Sequence, residues 1–470
     1  MYYIGIDLGT SAVKLTLTDA SGAVVKSVSE AYPISYPHPH WSEQNPEDWW
    51  QGVCRGMEKL LCGVDRTDVK GIGVGGQMHG LVMLDAQGEV LRPAILWNDT
   101  RTEAETRYLN EEIGKDFLQR ETGNIAFAGF TAPKILWVKK HEPDVFARCE
   151  KICLPKDYIN YKLTGAFATD VSDASGTLYF DVAHRRWSAP MLQVLGIDES
   201  MLPRVYESAD AIGVTRLFGL SAVVAAGAGD NAAAAVGTGT VRAGQCNVSL
   251  GTSGTVFLPT DEYVFTANPA LHSFCHANGR WHLMGCILTA ASANKWLTED
   301  ILCADYGEWE QPPRPENGVF FMPYLSGERC PHNDGDVRGA FLGLTHAATR
   351  LDLAHAVFEG VSFAIRDCLA LCPGKVTEAT VCGGGAKSRT WMEILSNVLN
   401  VKLSVIDAEG PALGAAALAA AAAGAPFAVT PSVRSTITPD PDFAAQYAAK
   451  YEKYKTLYPM LKAFYKEETV

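Results

Sequence analysis

The chain has 470 residues, of which 47% are hydrophobic and 20% charged, and its formal net charge is -13. That length exceeds a single core and fits two large domains or a duplicated pair, while the composition excludes a mainly disordered chain. The acidic balance disfavours nucleic acid and anionic membrane as partners, so a phosphate site must be a local exception built from backbone amides, lysine and metal.

Twelve cysteines are scattered without a Cys-x-x-Cys pair, the nearest being Cys149 with Cys153 and Cys368 with Cys372. They read as reduced, mostly buried thiols of a cytoplasmic protein. The start Met1-Tyr2-Tyr3-Ile4 has no basic region or cleavable apolar run, so no signal peptide is expected. The longest apolar stretch, Ala412 to Phe427, is interrupted by Gly414 and Gly424 and is too short to cross a bilayer.

In chain order, Ile4 to Asp19 reads as two strands joined by the turn Gly9-Thr10-Ser11. The turn offers backbone N–H groups and two hydroxyls, with Asp7 and Lys14 beside it, the partners that a Mg²⁺-bound polyphosphate needs. An ordinary β-turn is the alternative. The phrase Leu-Gly-Thr-Ser returns at Leu250-Gly251-Thr252-Ser253, which argues for two related halves that each bring a hairpin to a shared cleft.

After an irregular loop from Pro33 to Pro46, the early proline and acidic residues predict a helix running to Leu61. Val69 to Val74 is a buried strand leading into Gly75-Gly76-Gln77-Met78-His79-Gly80. Ligands sit beyond the carboxyl ends of such strands, so Gln77, Met78 and His79 either touch a substrate or are turn residues only. Val82 to Asp85 and Leu91 to Asp99 read as strands. The latter ends in Asn98, Asp99 and Arg101, a group that can bind a polyol or, for Asp99, cap a helix.

Ala225 to Gly239 is a strand end, a glycine turn and a helix of very small residues with Asp230 at its N-cap, where capping alone explains an aspartate. His272 to His282 forms a hairpin around Asn278-Gly279. Val376 to Val381 is a strand entering Cys382-Gly383-Gly384-Gly385-Ala386, with a helix from about Ser388. An alanine-rich helix opens at Gly410, and a polar helical tail runs from Pro441 to Val470 with tyrosines at helical spacing.

A duplicated α/β fold with a phosphate turn opening each half resembles the superfamily of actin, hexokinase and heat-shock chaperone ATPases. Gly129, Thr131, Lys134, Trp137 and His141, followed by Leu154-Pro155-Lys156-Asp157-Tyr158, resemble the first signature of the FGGY carbohydrate kinases. The stretch from Gly339 to Leu344, with Asp352 to Glu359, is similar to their second signature.

That resemblance implies two actin-like (ribonuclease H-like) α/β domains, residues 1–243 and 244–470, with a nucleotide and sugar cleft between them. It implies ATP and Mg²⁺ as the donor pair and Asp230 as the catalytic base, with Asp7 holding Mg²⁺ directly or through water. Thr10, Ser11, Lys14, Gly251 and Thr252 are expected at the phosphates, and Gly384 and Gly385 at the adenosine. Met78, His79, Trp97, Asn98, Asp230 and Asn231 are expected at the sugar.

Gly76-Gln77-Met78-His79-Gly80, Trp97-Asn98-Asp99 and Ser326-Gly327-Glu328-Arg329 carry the resemblance further, toward a pentulose acceptor, D-xylulose. Another polyol (L-ribulose, glycerol, gluconate) and a sugar-free actin-like ATPase are the alternatives. Sugar and ATP are the expected small-molecule partners, and a homodimer is the assembly that the resemblance allows.

Overall fold

The computed structural model describes residues 1–266, 268–407 and 410–466. The first half is built on a sheet of β1 (Tyr2–Leu8), β2 (Ala12–Asp19), β3 (Val24–Ala31), β4 (Val69–Gly76), β5 (Ala211–Thr215) and β6 (Ala222–Ala225). Its spatial order is β5-β6-β4-β1-β2-β3, and the short strand Ala228–Gly229 also pairs with β4. β1 is antiparallel to β2 and parallel to β4, which in turn is parallel to β6. β1 and β4 are buried almost throughout, as strands covered on both faces must be.

The second half repeats the pattern with β7 (Gln245–Leu250), β8 (Gly254–Thr260), β9 (His272–Cys275), β10 (Trp281–Ile287), β11 (Glu378–Cys382), β12 (Lys402–Ile406) and β13 (Val433–Ile437). The order is β9-β10-β8-β7-β11-β12-β13. β7 pairs antiparallel with β8 and parallel with β11, as β1 does with β2 and β4. The repetition expected from the recurring Leu-Gly-Thr-Ser phrase is therefore present in strand order and direction.

The helices that matter for the site are α1 (Pro46–Leu60), α2 (Thr131–His141), α3 (Pro155–Thr164), α4 (Asp230–Gly237), α5 (Arg350–Ala370), α6 (Arg389–Leu399), α7 (Gly410–Ala422), α8 (Pro441–Tyr454) and α9 (Leu457–Lys466). α1 forms where the sequence predicts it, because the Asn45 side chain accepts from the Glu47 amide and Pro46 occupies the first turn. Its buried Trp49, Val53, Met57 and Leu60 lie on one face, against β2 and β3. The tail forms two helices rather than one, and residues 467–470 of that expectation lie outside the described residues. Tyr447, Tyr451 and Tyr454 of α8 join the second core, where the Tyr454 and Phe363 ring centroids are 5.0 Å apart.

Two expectations are corrected. Of Leu91 to Asp99 only Ala94–Ile95 is a strand, pairing with Glu43–Gln44, since an ion-pair network shapes the rest. Asp99 caps no helix: its carboxylate accepts from the Ser42 and Arg101 amides and pairs with the Arg101 guanidinium. Arg101 also reaches Glu43, and Arg92 joins Glu43 to Glu142. The helix Glu103–Tyr108 starts after Thr102 instead.

α7 crosses from the second half onto the sheet of the first and lies against β1, β4 and α4. The approach is backbone to backbone. A Cβ on Gly5 would fall 1.7 Å from the Ala412 carbonyl oxygen, and one on Gly73 2.1 Å from that of Ala415. On the other side of α7, a Cβ on Gly414 would fall 1.8 Å from the Ala233 carbonyl oxygen in α4. Gly73→Ala should therefore cost at least the roughly 1–3 kcal/mol typical of overpacking. Gly318→Ala, whose Cβ meets nothing within 4 Å, should change stability by less than about 0.5 kcal/mol. Thermal melts of the two variants check this, and equal melting temperatures contradict the close crossing.

Candidate active site

The carboxyl end of β1 brings Asp7 opposite Lys14 on β2 and alongside Gly75 on β4. Burial, and then the neighbouring Asp230 carboxylate, push Asp7 up to about 7 against the opposing pull of Lys14. Asp230 is pushed up to about 6 by its own burial, opposed by a hydrogen bond from the Asn231 amide. The two carboxylates that the sequence separates by most of a domain thus share one charged neighbourhood.

Asp230 is not the N-cap that the sequence suggests. Gly229, with extended backbone, precedes the helix, and Asp230 is the first helical residue. Its Oδ1 accepts from the adjacent Asn231 amide at 2.8 Å, and no side chain caps α4. Capping therefore fails to explain why an aspartate stands here.

The turn Gly9-Thr10-Ser11 is held from several sides. Trp97 donates its Nε1–H to Thr10 Oγ1 at 3.0 Å, and the Gln44 amide donates to the Thr10 carbonyl at 2.7 Å. Tyr32 donates its hydroxyl to the Gly9 carbonyl. With its lone pair engaged by Trp97, the Thr10 hydroxyl keeps its proton for an acceptor such as a phosphate oxygen. Gln44, whose Oε1 accepts from Gln77 at 3.0 Å, links this turn to the strand that carries Met78. No signal in the sequence singles out Gln44, which lies in the irregular loop.

Met78 and His79 follow β4. Met78 packs over Gly229, and its sulfur lies 3.6 Å from Asn231 Nδ2, so Met78 and Asn231, both expected at the sugar, lie together. His79 sits at φ 70°, its carbonyl accepting from Lys134 Nζ at 2.8 Å and from Thr131 Oγ1 at 3.2 Å. The signature residues Thr131 and Lys134 on α2 thus hold an unusual backbone in place. His79 Nδ1 lies 2.7 Å from the Gly176 carbonyl, which can only accept, so the proton is on Nδ1 and Nε2 is left as an acceptor. Burial, then the Lys134 ammonium, drive His79 down to about 3, and it stays neutral at every physiological pH. Trp97 is half exposed, and Asn98 is exposed on the same turn.

In the second half, the Gly251 and Thr252 carbonyls accept from the Ala291 and Ala290 amides at 2.8 and 2.9 Å, and Thr252 is exposed at the tip. The glycine turn after β11 divides its tasks. A Cβ on Gly384 meets nothing within 4 Å, which leaves a surface open to a flat ligand. One on Gly385 would fall 2.9 Å from Leu250 Cβ and from Trp391, so its missing side chain lets the turn pack on the core behind it. Ser388 caps α6 by accepting from the Trp391 amide, which matches the helix start read from the sequence.

Among the described residues no cluster of three or more His, Cys, Asp or Glu forms a metal cage. A donor set of one or two carboxylates is nevertheless what Mg²⁺ uses when substrate phosphates and water complete its shell, and Asp7 beside Asp230 fits that. No helix among the described residues is long and apolar enough to cross a membrane.

Residues 2–237 match the model for the N-terminal domain of the FGGY family of carbohydrate kinases, and residues 246–423 match that for its C-terminal domain. The chain belongs to the FGGY family of carbohydrate kinases and is a sugar kinase that uses ATP. It is 42% identical over 480 residues to the xylulose kinase of Escherichia coli (strain K12), covering 98% of this chain and 99% of that protein. The fold is similar to a crystal structure described as a xyloylose kinase from Brucella ovis, at a TM-score of 0.94, 41% identity and coverage of 99% and 100%. It is also similar to the gluconate kinase from Lactobacillus acidophilus, at a TM-score of 0.93, 26% identity and 99% of both chains. The paired sheets are the actin-like fold expected.

The environment of Asp230 makes two outcomes measurable. A base must be ionised to work, so kcat/KM for the acceptor at saturating ATP should rise with pH through about 6 and then level off. A profile flat from about pH 5 to 8 would remove Asp230 from that role. Because the folded chain holds this proton more tightly than the unfolded chain, ionised Asp230 costs stability above its folded pKa. Asp230→Asn should therefore melt higher than wild type near pH 8, with the difference shrinking as the pH falls through about 6, where the folded aspartate takes up its proton.

Proposed function

We propose that the protein transfers the γ-phosphoryl group of Mg²⁺-ATP to the 5-hydroxyl of D-xylulose. The site lies in a cleft between a first domain of residues 1–243 and a second of residues 244–470. The observation that carries this reading is the Asp230 carboxylate, sharing one charged neighbourhood with Asp7 at the start of a helix that it does not cap, with Met78 against the flanking Gly229 and Asn231. The likeness to xylulose kinases over nearly the whole chain supports the choice of acceptor.

Asp230 takes the proton of the attacking hydroxyl. A folded pKa near 6 leaves it mostly ionised at neutral pH yet more basic than an exposed aspartate. Met78 and Asn231 fix the acceptor near this base, and His79 Nε2 accepts a hydrogen bond from a sugar hydroxyl further away. Trp97 and Asn98 line the same entrance. Thr10, Ser11 and Lys14 on the first turn and Gly251 and Thr252 on the second bind the phosphates, while the adenosine rests on the open face at Gly384 with Gly385 behind it. Asp7 would hold the metal, which would supply positive charge to offset the charge developing on the phosphate oxygens. Transfer of this kind rests on positioning and charge, which fits a site made of turns and carboxylates. The scattered thiols suit a reducing compartment, and we place the enzyme in the cytoplasm.

The test is ADP release with D-xylulose, L-ribulose, glycerol and gluconate as acceptors. D-xylulose should give the highest kcat/KM, and a preference for any of the other three overturns the acceptor assignment. Asp230→Asn should lower kcat by roughly 10²–10⁴-fold while leaving ATP affinity unchanged. Loss of the His79 acceptor should raise the sugar KM by roughly 2- to 13-fold in His79→Ala, the cost of one neutral hydrogen bond. An unchanged sugar KM in that variant would reduce His79 to a turn residue.

A further inference from the structure

One motif singled out in the sequence, Ser326-Gly327-Glu328-Arg329, has no task in the reaction described so far. Its glutamate is structural. Glu328 Oε1 accepts from the Leu288 amide at 3.0 Å and the Arg329 amide at 2.7 Å, and burial raises its carboxyl to about 8. Cys330 donates its amide to the Cys286 carbonyl at 3.0 Å, which pins the motif to β10 in the second half.

Arg329 is different. Among the described residues no carboxylate forms an ion pair with it, and Glu328 is mostly protonated at neutral pH. Its side chain touches the Cys286 thiol and lies over the ring of Phe127, with the guanidinium carbon 4.8 Å from the ring centroid. Phe127 belongs to the first half, so this contact crosses from one half to the other.

The Phe127 ring is 5.4 Å from Phe130, and Phe130 stacks on His79 at 4.7 Å. The Arg329 charge helps to hold both His79 and His272 neutral, yet it is not among the groups that shift Asp230. It therefore stands at the His79 end of the acceptor site and away from Asp230. A half-buried guanidinium whose side-chain contacts are a thiol and a ring face is a set of N–H donors seeking oxygen.

We propose that Arg329, carried on the second half, donates to the oxygens at the C1–C2 end of the ketose and closes the acceptor pocket from the side opposite Asp230. This rests on the reading of the site given above. The sugar is then gripped by both halves: Asp230, Met78 and His79 come from the first and Arg329 from the second, which also carries the glycine turn assigned to the adenosine.

The experiment is steady-state kinetics of Arg329→Met and Arg329→Lys with Mg²⁺-ATP and D-xylulose, alongside thermal melts. Loss of a charge-assisted hydrogen bond should raise the D-xylulose KM in Arg329→Met by roughly 10- to 150-fold with the ATP KM unchanged. Arg329→Lys keeps the charge and the stem over Phe127 but loses the planar fork, and should fall between Arg329→Met and wild type. It is also the variant to read if Arg329→Met melts too low to assay. A D-xylulose KM equal to wild type in both variants overturns the proposal, and so does an ATP KM that rises in step with the sugar KM. Failure of wild type to phosphorylate D-xylulose would defeat the acceptor assignment instead. Arg329 is then judged by the same two KM values on whichever acceptor wild type uses.

Discussion

The structure depends on the seating of one alanine helix on two glycine-lined strands. α7 arises in the second half but lies on β1 and β4 of the first, with Gly5 and Gly73 allowing its carbonyl oxygens to approach where any side chain would collide. The same helix meets α4 through Gly414 and Ala233. Alanine buries little surface, so this contact gains its strength from many close dispersion contacts along two backbones and from the high helix propensity of the residue. The consequence for function is geometric. β1 carries Asp7, α4 begins at Asp230, and one helix fixes the position of both.

A second buried network holds the segment that presents Asp230. Lys156, fully enclosed, pairs with Asp157 at 2.7 Å and Asp170 at 3.1 Å and donates to the Ala226 carbonyl, to which Asn160 also donates. Asp170 accepts from Ser172 and Ser208, and Ser172 Oγ accepts in turn from the Gly229 amide. Breaking a buried pair of this kind strands a charge, which makes the arrangement rigid whatever its net contribution to stability. The turn between β6 and α4 is thereby held at Ala226 and at Gly229, the residue before Asp230.

Much of this was legible in the sequence because it is local. Both hairpins, the starts of α1 at Pro46 and of α6 near Ser388, and the tyrosine stripe of α8 follow from turn chemistry, helix-start signals and helical period. The partners that complete the site are not local. Gly176 sets the tautomer of His79 from 97 positions away, and Gln44 reaches the Thr10 carbonyl across 34. Asp99 misled because an aspartate before a helical stretch looks like a cap, whereas a buried arginine two residues on claimed it. Asp230 misled by a single position, since the helix begins at the aspartate and not after it. Gly385 looked like its neighbour Gly384, and only the packed positions of Leu250 and Trp391 separate them.

The phosphoryl machinery and the acceptor pocket obey different rules. Turn amides, hydroxyls and paired carboxylates recognise phosphate and metal whatever the acceptor, so the hairpins by themselves specify a donor and leave the sugar open. Acceptor choice must come from groups whose hydrogen-bonding sense is fixed in advance. His79 meets that condition: its backbone is held by Lys134 and Thr131, its Nδ1 proton is committed to Gly176, and burial keeps it uncharged, so it offers one lone pair and nothing else. A neutral acceptor of this kind rewards a hydroxyl donor and leaves an analogue lacking it with an unpaired buried nitrogen, the asymmetry from which large discrimination arises. On the proposed reading, specificity rests less on the nature of the pocket residues than on the second layer that fixes their backbone and tautomer, as Gly176, Lys134 and Thr131 do for His79.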